Sequence, residues 1–429
     1  MSSAAPHGFG GRTLDEWLAY QEQIHPQSVD LGLERVRAVA ARLGLPQPGG
    51  RTAIVGGTNG KGSTATFLAA FAQAHGERVG LFTSPHLLRY QERIRIDGAQ
   101  AQDALLVDAF EQIEAARGSE TLTFFEFNTL AALLLFRAAA VETTVLEVGL
   151  GGRLDATNLV AADVAVLCSV GMDHCDWLGD TLEAIGAEKA GIFRPGQVVV
   201  LGAKSMPSTV GAVLTRLACK VQVAGVDFHW HVHADGRWNL HTGSLNLAGL
   251  PAPAVPGAIQ YCNAACALVA LIGLRGPRPV NRAAVDSALR NVRLPGRLQF
   301  IPGEVEWVFD VAHNEPAAAV LARELRARPR RGRTIAVFGM LADKDVAAVA
   351  AQLDALIDHW FLCALQGPRA LNAEQLQLRL NSIHGSVELC RDVKSACAAA
   401  ASLARPGDRV LVCGSFHTVG PALQARGLY

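Results

Sequence analysis

A glycine-rich segment between a predicted strand and a predicted helix constrains this chain more than any other feature. Residues 52–55 form a short β-branched run, four glycines then surround Lys61, and a helical pattern follows at residues 66–74. Backbone N–H groups that converge on a helix N-terminus, together with a lysine, bind polyphosphate oxygens. The segment therefore predicts a nucleotide phosphate site.

The spacing of this segment differs from that of the common P-loop. That motif has glycine six residues before the lysine and serine or threonine directly after it. Here Val55 occupies the first position, and Gly62 displaces the hydroxyls to Ser63 and Thr64. A glycine turn without a ligand is the alternative interpretation, but the order strand, loop, helix favours phosphate.

Composition excludes several classes of function. The chain has 429 residues, enough for two or three domains, and its 39 basic side chains equal its 39 acidic ones. No overall field attracts nucleic acid or an anionic membrane. The nine cysteines contain no C-x-x-C pair, the N-terminus lacks an apolar signal core, and Arg137 interrupts the most apolar stretch. These features predict a soluble, cytoplasmic protein.

Polar residues follow three other predicted strands. Ser84 follows the second strand, Glu147 ends an apolar run, and His174 follows a further strand. Open α/β sheets bind ligands at the carboxyl ends of their strands. A buried carboxylate such as Glu147 needs a partner, and Mg²⁺ prefers carboxylate oxygens. Taken singly, however, Ser84 is equally a helix cap and His174 a structural histidine.

Two further patterns leave alternatives open. The arginine-rich segment at residues 87–96 is either a solvated face or a neighbour of bound phosphate. Three histidines, His229, His231 and His233, share one face of a predicted hairpin strand. A solvent-facing strand is favoured there over a zinc site.

A domain boundary is predicted at Pro295-Gly296, which divides the chain into residues 1–296 and 297–429. A new alternation of strands and helices begins after it. The strands expected in the second part are residues 298–301, 306–310, 334–338, 359–364, 387–390 and 409–413.

The loop sequence Gly-Thr-Asn-Gly-Lys-Gly-Ser resembles the nucleotide loop of the Mur ligase superfamily, whose members couple ATP cleavage to joining a carboxylate and an amine. Further motifs narrow the resemblance to the bifunctional dihydrofolate synthase/folylpolyglutamate synthase family. They are Asp-Leu-Gly-Leu-Glu-Arg at 30–35, Thr-Phe-Phe-Glu at 123–126, Gly-Leu-Gly-Gly-Arg-Leu-Asp-Ala-Thr-Asn at 149–158, Asp-Val-Ala-His-Asn-Glu-Pro at 310–316, Phe-Gly-Met-Leu-Ala-Asp-Lys-Asp at 338–345 and Gly-Ser-Phe-His-Thr-Val at 414–419.

The resemblance implies an α/β protein with two parts. The first is an N-terminal P-loop-type Mur ligase central domain with a mostly parallel sheet and small β elements. The second is a C-terminal Rossmann-like α/β domain. The family usually has His-Gln at 259 and 260, whereas this chain has Ile259.

The resemblance also implies site residues. Those for ATP are Thr58, Asn59, Gly60, Lys61, Gly62, Ser63, Asn263, Arg297 and Asp310. Those for the pterin substrate and glutamate are Asp30, Leu31, Gly32, Thr123, Phe124, Phe125, Glu126, Leu154, Asp155, Ala156 and Ser415. Those for metal are Ser63, Ser84, Glu147, His174 and Lys189, and the catalytic ones are Lys61, His174, Lys189 and His313.

The implied chemistry is transfer of the ATP γ-phosphate to a carboxylate, followed by attack of the glutamate amine. Two Mg²⁺ ions and a carbamylated Lys189 belong to that expectation; without the resemblance, Lys189 and Glu188 would be a surface charge pair. The implied substrates are dihydropteroate, reduced folates, L-glutamate and ATP. No long exposed apolar helix is evident in the sequence, which favours a monomer, and the balanced charge predicts no nucleic-acid or membrane partner. The alternatives are another Mur-type ligase and an ATP-binding switch without ligase activity.

Overall fold

The computed structural model describes residues 11–27, 29–45, 50–243, 245–328, 331–367, 369–380 and 383–429. Ser28, where the pattern of residues 28–42 predicts that a helix begins, lies outside these ranges, as do the first ten residues. In the described part of the chain, no helix is both long enough and apolar enough to cross a bilayer. The nine cysteines all lie in the described ranges and are free thiols.

The strand that leads into the predicted phosphate-binding loop (residues 56–62, the phosphate loop) lies inside an eight-stranded sheet. The spatial order is β4-β3-β2-β5-β1-β6-β7-β8, with β3 and β4 antiparallel and the other neighbours parallel. The chain order reverses beside β1, which is where such sheets form a ligand crevice. The strands are β1 Arg51–Gly56, β2 Val79–Phe82, β3 Ile94–Ile96, β4 Ala99–Gln100, β5 Thr143–Glu147, β6 Val164–Leu167, β7 Val198–Leu201 and β8 Lys220–Val223.

Alternating side chains on these strands build a core on each face of the sheet. Ala53 and Val55 face one helical layer, and Ile54 between them faces the other. Nearly continuous burial along β1 is typical of a parallel strand covered on both sides. The helices of this part are α1 Leu14–Gln21, α2 Glu34–Arg42, α3 Lys61–Ala74, α4 Asp103–Arg117, α5 Phe124–Ala138, α6 Cys175–Leu178, α7 Leu182–Ala190, α8 Ser208–Arg216, α9 Ile259–Arg275 and α10 Arg282–Asn291.

A three-stranded antiparallel sheet follows, formed by β9 Phe228–Val232, β10 Trp238–Thr242 and β11 Asn246–Leu250. His229 and His231 are exposed on β9, and His233 is exposed just beyond its end. Within the described ranges no three metal-ligating side chains of the His, Cys, Asp and Glu types come together. The exposure of the three histidines confirms the prediction that they face solvent.

The second sheet has six strands in the order β12-β13-β17-β14-β15-β16, all parallel except β12. Its strands are β12 Gln299–Ile301, β13 Glu306–Asp310, β14 Thr334–Phe338, β15 His359–Cys363, β16 Ser386–Cys390 and β17 Arg409–Cys413. Its helices are α11 Glu315–Ala327, α12 Val346–Leu353, α13 Ala373–Arg379, α14 Val393–Leu403 and α15 Phe416–Ala425.

Some predicted helix starts are wrong. Helix α3 begins at Lys61 rather than at residue 66, because the glycine loop turns directly into the helix. The apolar run of residues 130–140 predicts that a helix begins at Leu130, but helix α5 begins at Phe124, where Thr123 and Glu126 form a capping box. The sequence alone favours Asp30 as the N-cap of helix α2, but α2 begins at Glu34. Oδ2 of Asp30 instead accepts from Nη1 of Arg35 at 2.6 Å.

Candidate active site

The carboxyl ends of strands from both sheets open on one cavity of roughly 640 Å³. That volume is in the range of small-molecule sites. The phosphate loop after β1, Glu147 at the end of β5 and Asp310 at the end of β13 all line it. All the residues predicted for the site line this cavity except Lys189, which is buried and hydrogen-bonded to the carbonyl of Gly57.

The phosphate loop has the left-handed backbone that its glycines allow. Gly60 has φ 88°, and a Cβ there would lie 2.9 Å from Oδ1 of Asn263. The loop thus passes directly beneath Asn263 on α9, the residue predicted to contact ATP. Nζ of Lys61 donates to the carbonyl oxygens of Gly57 and Thr58, each at 3.1 Å. A lysine folded onto its own loop needs only to rotate outward to meet a phosphate.

Glu147 ends strand β5 at the carboxyl edge of the first sheet, and it is 4% exposed. Its Oε2 accepts from the backbone N–H of Ser84 at 2.9 Å. Burial raises the pKa of the Glu147 carboxyl, against the opposing charges of Lys61 and Arg297 and the Ser84 hydrogen bond. With the hydroxyls of Ser63 and Ser84 at the same cavity edge, the donor set consists of oxygens. Such a set fits a hard divalent cation.

Asp173 and Lys344 form a buried ion pair in the cavity wall. Nζ of Lys344 lies 2.6 Å from Oδ1 of Asp173, and both side chains are less than a tenth exposed. His174, next along the chain, has its Nε2 3.5 Å from the same Nζ. The pKa of Asp173 is lowered because the charges of His174, Lys344 and His313 outweigh burial.

Burial instead lowers the pKa of His174 to about 4, although the adjacent Asp173 opposes this. The imidazole is therefore neutral at pH 7, which is the form that ligates metals. Its backbone is left-handed, with φ 55°, directly before α6.

Lys189 on α7 is 4% exposed, and its Nζ donates to the carbonyl of Gly57 at 3.2 Å. Burial and the charge of Lys61 lower the pKa of its amine to about 7. A large part of the amine is therefore unprotonated at neutral pH. Only that form reacts with CO₂.

The wall beside Ser84 is aromatic. Phe124 and Phe125 lie in the first turn of α5, and a Cβ at Gly149 would lie 2.5 Å from the Phe125 ring, so only glycine fits there. Oε2 of Glu126 accepts from the N–H and the hydroxyl of Thr123 at 2.8 and 2.9 Å. Its Oε1 accepts from Nη2 of Arg35 at 3.3 Å.

The loop after β5 is held by a buried carboxylate. Oδ2 of Asp155 accepts from the N–H of Leu150 at 2.8 Å, and its Oδ1 accepts from the hydroxyl of Thr157 at 2.6 Å. These bonds oppose burial, which raises the pKa of Asp155. The carboxylate therefore shapes the loop that carries Leu154 and Ala156 along the cavity.

The second sheet supplies the opposite wall. Asp310 accepts from the N–H groups of Leu298 and Ala312, both at 2.8 Å, which fixes the turn after the boundary. Arg297 stacks over the Phe416 ring at 4.9 Å. Ser415 caps α15 by accepting from the N–H of His417 at 3.1 Å.

His313 follows Asp310 on the same wall. Its Nδ1 lies 2.8 Å from the carbonyl of Val311, which holds the ring in place. Burial lowers the pKa of His313 to about 4.

Comparisons with known proteins agree with this geometry. Residues 55–227 match the Mur ligase middle domain, and residues 296–416 match the Mur ligase glutamate ligase domain. The dihydrofolate synthase/folylpolyglutamate synthase of Escherichia coli is 44% identical over 96% of this chain and 95% of its own. This chain belongs to the dihydrofolate synthase/folylpolyglutamate synthase family. The members of that family are ATP-dependent ligases, and the predicted α/β fold class is confirmed.

Two solved structures of the family carry ligands. E. coli FolC in complex with DHPP and ADP has a TM-score of 0.92 and 43% identity, covering 97% of this chain and 98% of its own. A bifunctional folylpolyglutamate synthase/dihydrofolate synthase with Mn, AMPPNP and L-glutamate bound has a TM-score of 0.89 and 43% identity, covering 97% and 98%. The family therefore binds a nucleotide and a divalent metal.

Sequence reasoning missed several cavity residues of this family member. It gave no role to Asp173, although this residue directly precedes His174, nor to Lys344 in the motif at 338–345. It also missed Asn314, which does not line the cavity but whose Nδ2 donates to Oδ1 of the cavity residue Asn59 at 3.1 Å. The arginine-rich segment left open above delivers Arg93 to the cavity. Ile259, which stands where the family usually has histidine, also lines it.

Proposed function

We propose that this chain joins L-glutamate to dihydropteroate, giving dihydrofolate, and to reduced folates, giving folylpolyglutamates, with ATP as co-substrate. One observation carries the proposal: the same cavity is lined by the phosphate loop, by Glu147 and by the aromatic residues Phe124 and Phe125. A nucleotide, a carboxylate to be activated and a flat aromatic substrate can therefore meet there. Family membership supports the same reaction.

A carboxylate and an amine do not condense usefully in water, so the carboxylate needs activation. The γ-phosphate of ATP passes to the substrate carboxylate and gives an acyl phosphate and ADP. The glutamate amine then attacks the acyl carbon, and the tetrahedral intermediate expels phosphate. This chain contributes mainly positioning and charge neutralisation, with Lys61 and the loop N–H groups on the β- and γ-phosphates.

The metal residues fit Mg²⁺. Ser63, Ser84 and Glu147 would hold one ion, and Glu147, His174 and a carbamylated Lys189 would hold a second. When bound, Mg²⁺ supplies neutralisation of phosphate charge and polarisation of the acceptor carboxylate. The raised pKa of Glu147 supports this assignment, because a carboxylate that is costly to ionise alone gains most from a cation.

We infer the remaining binding roles from the position of each residue along the cavity. Asn263, Arg297 and Asp310 contact ATP from the first part, the boundary and the second part of the chain. Asp30, Leu31 and Gly32 extend the pterin subsite, and Ser415 helps to bind glutamate near His313. We place the domain boundary between residues 296 and 297, and we infer a cytoplasmic monomer that uses no nucleic acid or membrane.

The test is phosphate release by the purified protein with ATP. Dihydropteroate plus L-glutamate should release phosphate, and tetrahydrofolate plus L-glutamate should do the same. A UDP-muramyl peptide precursor serves as the competing acid. Release with that precursor alone would assign another Mur-type reaction, and release that ignores both acid and amine would assign a nucleotide switch.

A further inference from the structure

Arg93 is a buried cation that forms no salt bridge with the described residues. It ends the short 3₁₀ helix Tyr90–Arg93, it is 8% exposed and it lines the cavity. Its guanidinium makes one hydrogen bond to the described residues, from Nε to Nδ1 of His86 at 2.8 Å. No carboxylate oxygen in the described ranges lies within 4.0 Å of it. Within the described ranges its Nη groups therefore have no hydrogen-bond acceptor, and the side chain lines the cavity.

The surroundings do not neutralise this charge. Burial lowers the pKa of His86 to about 4, helped by the charge of Arg93, so the imidazole stays neutral at pH 7. Glu92 is adjacent in the chain, but its carboxylate accepts the N–H groups of Leu87, Leu88 and Arg89 at 2.5 to 2.8 Å. A desolvated guanidinium left in this state destabilises the folded protein. An anionic ligand in the cavity would offset that cost.

Other cationic groups face the same part of the cavity. The charge of Arg93 lowers the pKa of His417, as does the charge of Arg369, although burial is the larger cause. Arg297 lies on the boundary segment, and the charges of both Arg297 and Arg93 lower the pKa of Glu147, although burial raises it by more. The facing carboxylates are Glu147 and Asp310, and the latter is already engaged by two backbone N–H groups. Cationic side chains therefore predominate in this part of the cavity, and they favour the binding of a ligand carboxylate.

The position of Arg93 indicates which carboxylate it binds. Its Cζ lies 5.4 Å from the Phe124 ring centre, and it is near enough to Glu147 for their charges to interact. It thus stands between the aromatic wall and the edge where the acid is activated. In a folate, the α-carboxylate of the glutamyl unit lies between the benzoyl ring and the reacting γ-carboxylate. Dihydropteroate has no such group, because its only carboxylate is the one that reacts.

We propose that Arg93 binds the α-carboxylate of a glutamyl unit already attached to the folate, and so favours folates over dihydropteroate as the acid substrate. A guanidinium suits this task because its Nη groups can meet a carboxylate in a two-pronged geometry. The proposal rests on the function proposed above. It makes Arg93 a specificity residue for chain elongation.

The experiment compares the binding of folic acid and pteroic acid, which differ by one glutamyl unit, by calorimetry with the whole protein. The variants are Arg93→Gln, Arg93→Lys and, as a matched control, Arg89→Gln, which removes an exposed arginine from the same loop. Arg93→Gln should weaken folic acid binding at least tenfold and pteroic acid binding less than twofold. Arg93→Lys should show a smaller change of the same kind, and Arg89→Gln should resemble the wild type.

Steady-state rates provide the second measurement. Arg93→Gln should lower kcat/KM for tetrahydrofolate at least tenfold relative to that for dihydropteroate, with the KM for L-glutamate unchanged when dihydropteroate is the acid. Equal losses for both acids would overturn the proposal. A raised KM for L-glutamate would also overturn it, because Arg93 would then bind the incoming amino acid. If Arg93→Gln melts early, the same ratios are taken from Arg93→Lys. Wild-type protein that bound neither acid would refute the proposed function itself.

Discussion

Nζ of Lys344, after β14 of the second sheet, lies 2.6 Å from Oδ1 of Asp173, after β6 of the first sheet. The same carboxylate accepts from Nδ2 of Asn314 at 2.9 Å through its Oδ2. Asn314 in turn exchanges hydrogen bonds with Asn59 of the phosphate loop. The two halves of the cavity are therefore joined by groups beside the proposed nucleotide site, so the position of the second sheet and the geometry of the phosphate loop are coupled.

Removing this tie should destabilise the protein. Lys344→Met leaves Asp173 buried without its cation, and breaking one side of a buried pair costs about 3 kcal/mol or more. Urea unfolding at pH 7 measures the change. Lys394→Met, which removes an exposed lysine from α14, should cost less than about 0.5 kcal/mol. An unchanged unfolding midpoint in Lys344→Met would show that the pair contributes nothing to docking.

The stability of the ligand-free protein should fall as the pH drops from 6.5 towards 4. Burial lowers the folded-state pKa of His86, His174 and His313 from 6.5 to about 4. In this window the unfolded chain binds protons that the folded chain does not. Each histidine therefore lowers the free energy of unfolding by up to about 1.4 kcal/mol for each pH unit of acidification.

Urea unfolding at several pH values measures this slope. His313→Gln should have a smaller slope of unfolding free energy against pH, because only His86 and His174 still contribute to it. The same slope in wild type and variant would contradict the neutral state assigned to His313.

Gly60 should be required for its backbone and for its lack of a side chain. At φ 88° an alanine is strained by roughly 1–2 kcal/mol, and its Cβ would press on Oδ1 of Asn263. We expect Gly60→Ala to raise the KM for ATP at least tenfold. Gly76→Ala is the matched control, since Gly76 has φ 81° with no atom within 4 Å of an added Cβ. It should lose similar stability and keep its activity; a normal KM in Gly60→Ala would argue against a phosphate-binding loop.

The sequence predicted the strands well, because buried parallel strands are short apolar runs with polar ends. The predictions for residues 306–310, 334–338 and 409–413 coincide with β13, β14 and β17. Helix starts were less predictable. At α5, Thr123 and Glu126 look like substrate contacts in the sequence, yet in the structure they close a capping box. Whether Glu126 also contacts substrate stays a prediction.

Contacts between the domains could not be read from the sequence. Asp173 and Lys344 are 171 residues apart, and neither lies in a periodic pattern that points to the other. Arg93 shows the same difficulty, because an arginine in a charged segment is usually solvated. Only the fold reveals that its segment turns inward beside Phe124. The sequence motifs identified residues that line the cavity, whereas only the structure shows which of them are buried and which charges interact.

Lys189 should make activity depend on CO₂. Its amine, with a pKa of about 7, is largely unprotonated at pH 8 and can add CO₂ to form a carbamate with release of a proton. Activity in CO₂-depleted buffer should fall at least tenfold and return with bicarbonate, and ¹³C-bicarbonate should give a carbamate signal by NMR. Lys189→Ala should be inactive and unresponsive, while Lys220→Ala, at an exposed site on β8, should respond like wild type. Full activity without CO₂ would rule out the carbamate.

Arg297 should act on ATP rather than on folding. It lies on the boundary segment, stacks on Phe416 and faces the charges of Asp310 and Glu147. Asp310 keeps its two backbone N–H donors when the arginine is removed, so Arg297→Ala should melt within a few degrees of wild type. Its kcat/KM for ATP should fall about a hundredfold, in line with the loss of one group that neutralises developing phosphate charge. Arg293→Ala, an exposed neighbour, should remain active, and an unaltered rate in Arg297→Ala would refute a nucleotide site shared between the two domains.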